Sequence, residues 1–191
     1  MKNMRINNII IGNQVEKNKN LNEFINIAKH KNIKVTIVNR GDCIKVENEL
    51  YIDILWPDKH NIILNNAINN NALVFKLIDK KVSILFTGDI EKETEEQLSQ
   101  IYNGTEKLQA NILKVAHHGS NSSSTEKFLN MIKPKFALIG VGKNNLYGHP
   151  SAKTIENLKK MGITIFRTDI NGEININIAQ NGKVDIWKMI N

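Results

Sequence analysis

Strand-like and helical patterns of hydrophobic residues alternate from the start of the chain. Residues 6–11 and 33–38 are rich in β-branched side chains and predict strands, whereas residues 20–31 place apolar side chains three and four positions apart, as an amphipathic helix does. Their order predicts a β-α-β unit. Two short strands at 43–47 and 50–57 follow, and a polar, asparagine-rich loop comes after them.

The rest of the chain continues the alternation of strands and helices. Residues 72–79 and 82–89 are two apolar runs around a short polar turn, which predicts a β-hairpin. Residues 90–102 begin with glutamates, which favour a helix start and which we expect to face solvent. Further strands are predicted at 110–116, 135–142 and 163–168, helices at 123–133 and 151–162, and a last strand pair around the Asn181-Gly182 turn. This order predicts a mixed α/β fold, and since no linker or repeat divides residues 1–191, we expect a single domain.

Composition is that of an ordinary globular protein and sets few limits on function. Hydrophobic residues make up 41% of the 191 residues, and a net charge of +7 favours phosphate-bearing partners. Cys43 is the only cysteine, so an intrachain disulfide and a thiolate cluster are excluded, and we expect this thiol to be buried. We see no signal peptide and no run approaching the ~18 apolar residues of a membrane span, so the sequence predicts a soluble chain.

Three polar segments come at the ends of apolar strands and together indicate a metal site. They are FTGD at 86–89, AHHGS at 116–120 and YGHP at 147–150. Strand ends are rigid, which suits metal ligands because these must hold their geometry. A carboxylate with imidazoles is a ligand set suited to Zn²⁺ or Mn²⁺, and a cation of this kind is the predicted cofactor. The candidate metal ligands are Asp89, His117, His118 and His149.

Such ligands predict hydrolysis. One ion lowers the pKa of a bound water, and two ions ~3.5 to 4 Å apart stabilise charge on the attacking and leaving oxygens. The candidate catalytic residues are therefore Asp89, His117 and His118. The hydroxyl and backbone amide groups after the histidine pair are candidates for contact with a phosphate, and ordinary helix capping is the alternative; the residues are Ser120, Asn121, Ser122 and Ser123.

A second group of candidate substrate contacts lies just before the GHP motif. Lys143 is predicted to contact a phosphate and Tyr147 to offer a stacking face to a base, with Asn144 between them. An ordinary surface lysine is the alternative for Lys143.

The motifs resemble those of one known family. The segments LFTGDIEKETEEQL, LKVAHHGSNSSS, KPKFALIGVGKNNLYGHPS and ITIFRTDINGEINI are similar to the C-terminal domain of ComEC-type DNA-uptake proteins, which has the metallo-β-lactamase fold. The resemblance implies an αββα sandwich, a centre of one or two metal ions and hydrolysis of phosphodiester bonds, on one DNA strand during competence. It also implies that Asp89 is the bridging aspartate, that His117 and His118 are the histidine pair and that His149 belongs to the GHP motif. Which histidine of the pair binds metal stays open, with His117 favoured.

The sequence departs from the family at its principal ligand motif. Nothing in the chain matches the His-x-His/Asp-x-Asp-His run of metallo-β-lactamase-fold proteins, and His30 and His60 have no partner at the right spacing, so we expect both to be surface residues. We therefore expect a domain that lacks its N-terminal strands and this motif, and that is inactive in isolation.

Three functions remain open at this point. The favoured one is a metal-dependent hydrolase domain that acts on DNA. The alternatives are a metallo-hydrolase of another substrate and a non-catalytic fragment that serves in DNA binding or assembly. The expected partners are single-stranded DNA, a membrane-channel portion of the same system encoded separately, and further copies of the chain bound through an exposed sheet edge. The family resemblance implies a membrane-associated full-length protein.

Overall fold

A seven-stranded sheet organises most of the chain in the computed structural model, which describes residues 5–13 and 19–189. Its strands lie in chain order. The first four pair antiparallel, and the fourth strand begins a group of four that pair in parallel. They are β3 (Cys43–Glu47), β4 (Leu50–Trp56), β5 (Val74–Asp79), β6 (Val82–Phe86), β7 (Ile112–Lys114), β8 (Phe136–Ile139) and β9 (Thr164–Arg167). The predicted mixed α/β class is confirmed.

Two small sheets accompany the large one. β1 (Asn8–Gly12) and β2 (Lys34–Val38) pair in parallel with α1 (Lys19–His30) between them, which confirms the predicted β-α-β unit. β10 (Ile174–Ile178) and β11 (Val184–Lys188) form the antiparallel pair predicted around Asn181-Gly182. The predictions that the chain forms one domain and lacks N-terminal strands stay predictions.

Helices join the strands at most of the predicted places. They are α2 (Ala67–Asn70), α3 (Lys92–Ile101), α4 (Glu126–Ile132), α5 (Ala152–Lys160) and α6 (Thr168–Asn171). The predicted loop before β5 contains the short α2, and α6 was not predicted either, because four residues are too few for helical periodicity to show. Within the described ranges, no helix has the length and apolar character needed to cross a bilayer.

The main core lies on one face of the seven-stranded sheet. Successive side chains of a strand point to opposite faces, so Leu85, Leu113 and Ala137 share a face, as their pairing shows. This face packs against Leu98 of α3 and Phe128 of α4, which are almost completely buried. Burial of a side chain such as Phe128 stabilises the fold by about 1.5 to 3 kcal/mol.

The opposite face of the sheet is apolar but less completely covered. Phe75 and Phe86 stack there with ring centroids 4.7 Å apart, and Leu77 and Leu138 lie on the same face. All four side chains are half-buried.

Two expectations about burial are wrong. Glu95 of α3 is 1% exposed because its carboxylate accepts hydrogen bonds from the backbone N–H groups of Ser124 and Thr125, so the acidic face of this helix is not simply solvated. Burial raises the pKa of Glu95. Cys43 is exposed rather than buried because it lies on β3, an edge strand of the sheet.

Candidate metal centre

The carboxyl ends of the parallel strands bring the candidate ligands to one edge of the sheet. Asp89 comes three residues after β6 and His117 three residues after β7, while Gly140 directly follows β8. The hydroxyl of Thr87, which is fully buried, donates to the carbonyl of Lys114 at 2.7 Å and so joins the ends of β6 and β7. In α/β sheets, ligands bind at this end of the strands.

A tight turn carries the histidine pair. His117, His118 and Gly119 have φ values of 47°, 55° and 83°, so three consecutive residues are left-handed. This conformation costs a non-glycine residue about 1 to 2 kcal/mol, and such strain concentrates at functional sites. The N–H of His117 donates to the carbonyl of Gly88 at 3.0 Å, which fixes the turn against the TGD segment. The turn aims the two imidazoles in different directions.

His118 is paired with Asp89. Its Nδ1 lies 2.7 Å from the carbonyl oxygen of Gly140, and a carbonyl only accepts, so Nδ1 carries the proton. A neutral ring then has its lone pair on Nε2, which lies 3.8 Å from Oδ1 of Asp89. Both side chains are about half exposed, so a cation from solvent has access to the pair.

His117 contacts a different set of side chains. Its Nδ1 lies 3.5 Å from the hydroxyl of Ser122 and 3.7 Å from Oε1 of Glu91. Its ring centroid is 5.8 Å from that of His149, whose ring in turn stacks on Tyr147 at 5.9 Å. The two ring centroids of the histidine pair are 6.5 Å apart. The structure therefore brings all four candidate ligands to one region, as two pairs.

Two groups of this region have shifted pKa values. Burial, together with the neighbouring His117 and His118, lowers the pKa of His149, which favours the neutral, metal-binding form of its imidazole. Burial also lowers the pKa of Lys114, and the charge of Asp89 acts in the opposite direction. The amine of Lys114 donates to the carbonyl of Val115 at 3.2 Å.

The predicted substrate contacts fall into two environments. Ser120 is 6% exposed, and its hydroxyl bonds to that of Ser122 at 3.0 Å and accepts from the Ser122 N–H, so it is already used within the loop. Asn121, Lys143 and Asn144 are exposed. Tyr147 is 83% exposed and covers His149 with one face of its ring. A substrate role stays a prediction for Ser120, Asn121, Lys143, Asn144 and Tyr147.

The donors fit a divalent cation in type, but the described residues do not complete a site. An Nε2 lone pair opposite a carboxylate is a suitable start for a Zn²⁺ or Mn²⁺ site. Residues 5–13 and 19–189 nevertheless contain no group of three or more histidine, cysteine, aspartate or glutamate side chains placed to hold a metal ion. His30 and His60 are exposed, as expected. A complete centre would need further ligands or a rearrangement of these.

Sequence reasoning missed two residues of the site. The sequence predicts that Glu91 faces solvent with the other glutamates around α3, yet its side chain is only 15% exposed and faces His117. The signal for a role at the site is its position two residues after Asp89. Lys114 lies in a run that predicts a buried strand, and a lysine within such a run is itself a signal, because buried lysines are rare.

Comparison with known proteins agrees with the resemblance carried by the motifs. ComE operon protein 3 of Bacillus subtilis is 34% identical over 152 residues, which make up 80% of this chain and 19% of that protein. Recombination protein 2 of Haemophilus influenzae is 30% identical over 132 residues, 69% of the chain and 16% of the relative. Competence protein ComA of Neisseria gonorrhoeae is 32% identical over 114 residues, which make up 60% of this chain and 16% of that protein. The chain belongs to the ComEC family. It spans less than a fifth of the length of each of these relatives.

Solved structures give a weaker likeness. A crystal structure from Parabacteroides distasonis covers 85% of the chain with a TM-score of 0.48 and 16% identity, over 64% of its own length. The metallo-β-lactamase fold protein YhfI of Bacillus subtilis covers 94% with a TM-score of 0.46 and 11% identity, over 65% of its own length. Both TM-scores are below 0.5. No protein-family model matches the chain.

Proposed function

We propose that this member of the ComEC family supplies part of a metal-dependent hydrolase site that cleaves phosphodiester bonds of DNA during competence. The observation that carries the proposal is the His118–Asp89 pair. The Gly140 carbonyl holds the proton on Nδ1 of His118, so Nε2 presents a lone pair 3.8 Å from the carboxylate of Asp89. The competence relatives favour DNA as the substrate, and so does the net charge of +7.

In this proposal Asp89 and His118 would hold the cation, Zn²⁺ or Mn²⁺, and the rings of His117 and His149 lie beside each other in the same region. A bound cation would supply an activated water and would stabilise charge on the phosphate. The chain's own residues bind and orient the strand to be cut: Lys143 and Asn121 contact phosphate and Tyr147 stacks on a base. In the neutral imidazole of His118 the Gly140 carbonyl keeps the proton on Nδ1, so the lone pair is on Nε2.

The shortage of donors leads to the second part of the proposal. A centre of one or two ions needs more ligands than the described residues assemble. We propose that a His-x-His/Asp-x-Asp-His segment of the same system completes the set, and that a membrane-channel portion delivers single-stranded DNA. The same shortage favours a second candidate function, a non-catalytic module that binds DNA.

Metal content and cleavage test both parts. We expect the chain alone to bind Zn²⁺ or Mn²⁺ weakly in equilibrium dialysis and to leave a labelled single-stranded DNA intact. Adding the family's motif segment, in cis or as a separate chain, should raise both metal content and cleavage, and Asp89→Ala should abolish the gain. Asp79→Asn is the matched control, because Asp79 ends β5 at the opposite end of the sheet. Full metal content with no cleavage would favour the binding module, and an Asp89→Ala variant as active as the parent would refute the metal role.

A further inference from the structure

Glu91 directs its side chain away from the helix that it begins. It is the N-cap residue of α3, but its carboxylate makes no capping bond to the helix amides. Its backbone N–H is instead anchored by the fully buried Asn70, whose Oδ1 accepts it at 3.1 Å. With the backbone held in this way, the carboxylate accepts from the hydroxyl of Ser122 at 3.1 Å. Glu91 is therefore joined to the histidine loop rather than to its own helix.

The hydrogen bonds around Ser122 have a defined direction. A serine hydroxyl has one proton, and a carboxylate is a stronger acceptor than a neutral ring nitrogen, so the proton goes to Glu91. The oxygen of Ser122 is then left to accept from Nδ1 of His117, 3.5 Å away. Glu91 Oε1, at 3.7 Å from the same Nδ1, adds a negative charge that favours a proton there.

We propose that Glu91 and Ser122 form a relay that positions His117, with the proton on Nδ1 and the lone pair on Nε2. The proton on one ring nitrogen of a histidine is set by the hydrogen bond that nitrogen makes, and carboxylates commonly hold ligating histidines in this way. His118 reaches the same state through the Gly140 carbonyl. Both members of the pair then carry the lone pair on Nε2, although different partners hold them.

The relay builds on the proposed function, because an Nε2 lone pair on His117 matters only at a site that binds a metal ion. It also changes the role expected of the hydroxyls of Ser120 and Ser122. The Ser122 hydroxyl is engaged with Glu91 and His117, and that of Ser120 is engaged with Ser122, so neither is free for a phosphate. Glu91 and Ser122 are positioning residues, which act through His117.

Ring ¹⁵N chemical shifts report the tautomer without metal or substrate, so the test does not depend on hydrolysis. Spectra are recorded for the chain at a pH well above 6.5, where imidazoles are neutral, with His117→Gln used to assign the signals. We expect His117 to be protonated on Nδ1. Ser122→Ala should shift the tautomer ratio towards Nε2–H by about threefold to tenfold, the effect of losing one hydrogen bond. Glu91→Ala should shift it at least as far, because the freed hydroxyl can then donate to Nδ1.

Matched variants make every outcome decisive. Ser122→Thr keeps the hydroxyl and should restore the Nδ1–H form, and Glu96→Gln removes one exposed charge from the same helix and should change nothing. His118 is an internal control, since its bond to Gly140 does not involve the relay. An unchanged His117 in both Glu91→Ala and Ser122→Ala would overturn the proposal. A change of His118 alongside His117 would overturn it as well, because it would show a general disturbance of the loop.

Discussion

Gly119 is a point at which the histidine turn and the GHP segment touch, and Gly119→Ala should destabilise the chain by about 3 kcal/mol. Two costs add. The residue has φ +83°, a conformation that costs an L-residue about 1 to 2 kcal/mol. The new Cβ would also lie 2.6 Å from Cβ and 3.2 Å from Cα of Pro150. A proline ring and backbone cannot rotate away, so the overpacking adds about 1 to 3 kcal/mol.

Two other glycines of the same region separate the costs. Gly148 has φ +68° but nothing within 4 Å of an added Cβ, so Gly148→Ala should show only the backbone cost, about 1 kcal/mol. Gly142 has neither a positive φ nor a close neighbour, and Gly142→Ala should stay within about 0.5 kcal/mol of the parent.

Urea unfolding at equilibrium measures all three variants. The midpoint should fall in the order Gly142→Ala, Gly148→Ala, Gly119→Ala, with an unchanged m value. Because the N–H of Ser151 donates to the carbonyl of Gly119 at 2.8 Å, the clash acts on segments that are bonded together and has little room to relax. Equal losses for Gly119→Ala and Gly148→Ala would refute the close approach of the turn to Pro150.

The remaining predictions concern the buried asparagine, pH and DNA. Asn70→Ala should lower the free energy of unfolding in urea by about 2 to 4 kcal/mol. The fully buried side chain hydrogen-bonds to Glu91, Thr94 and Asn65, and its loss leaves these buried groups unpaired. A loss below about 1 kcal/mol would contradict this. Because the pKa of His149 is lowered in the folded chain, the unfolded chain binds a proton at His149 more readily. The free energy of unfolding should therefore fall as the pH drops from about 6.5 through the folded-state pKa. His149→Gln should flatten this fall, and a pH profile identical to that of the parent would contradict the prediction. Lys143→Glu should weaken binding of single-stranded DNA and make the binding constant depend less steeply on salt concentration. The control Lys81→Glu lies at the opposite end of the sheet and should change this salt dependence less. An equal salt dependence for the two variants would make Lys143 an ordinary surface charge.

The sequence predicts the large elements because their periodicity spans many residues. The β5–β6 hairpin, the β-α-β unit and the helices α3, α4 and α5 all fall within two or three residues of their predicted bounds. The short α2 and α6 escape, since one helical turn leaves no repeat to detect. The predicted strands also extend beyond the observed ones. The pattern predicts a strand to residue 116, whereas β7 ends at Lys114 and the left-handed turn of the histidine pair follows.

The candidate site was predictable in membership and only partly in arrangement. Asp89, His117, His118 and His149 were found because carboxylate and imidazole groups at strand ends are a recognisable set, and the fold brings them together. The division into two pairs could not be predicted, because it follows from the φ values of the histidine turn. Glu91 was missed because its burial depends on Ser122, which lies 31 residues away in the chain.

The polarity of the parallel strands has a practical consequence for handling this protein. The candidate metal ligands follow the carboxyl ends of the strands, away from the connections at their amino ends. Asn103 and Thr105, in the loop that leads from α3 into β7, are exposed, whereas Gly104 between them has φ +73° and is best left unchanged. A fluorophore, an affinity tag or a tether to a sensor surface attached there would leave the histidines facing the solution.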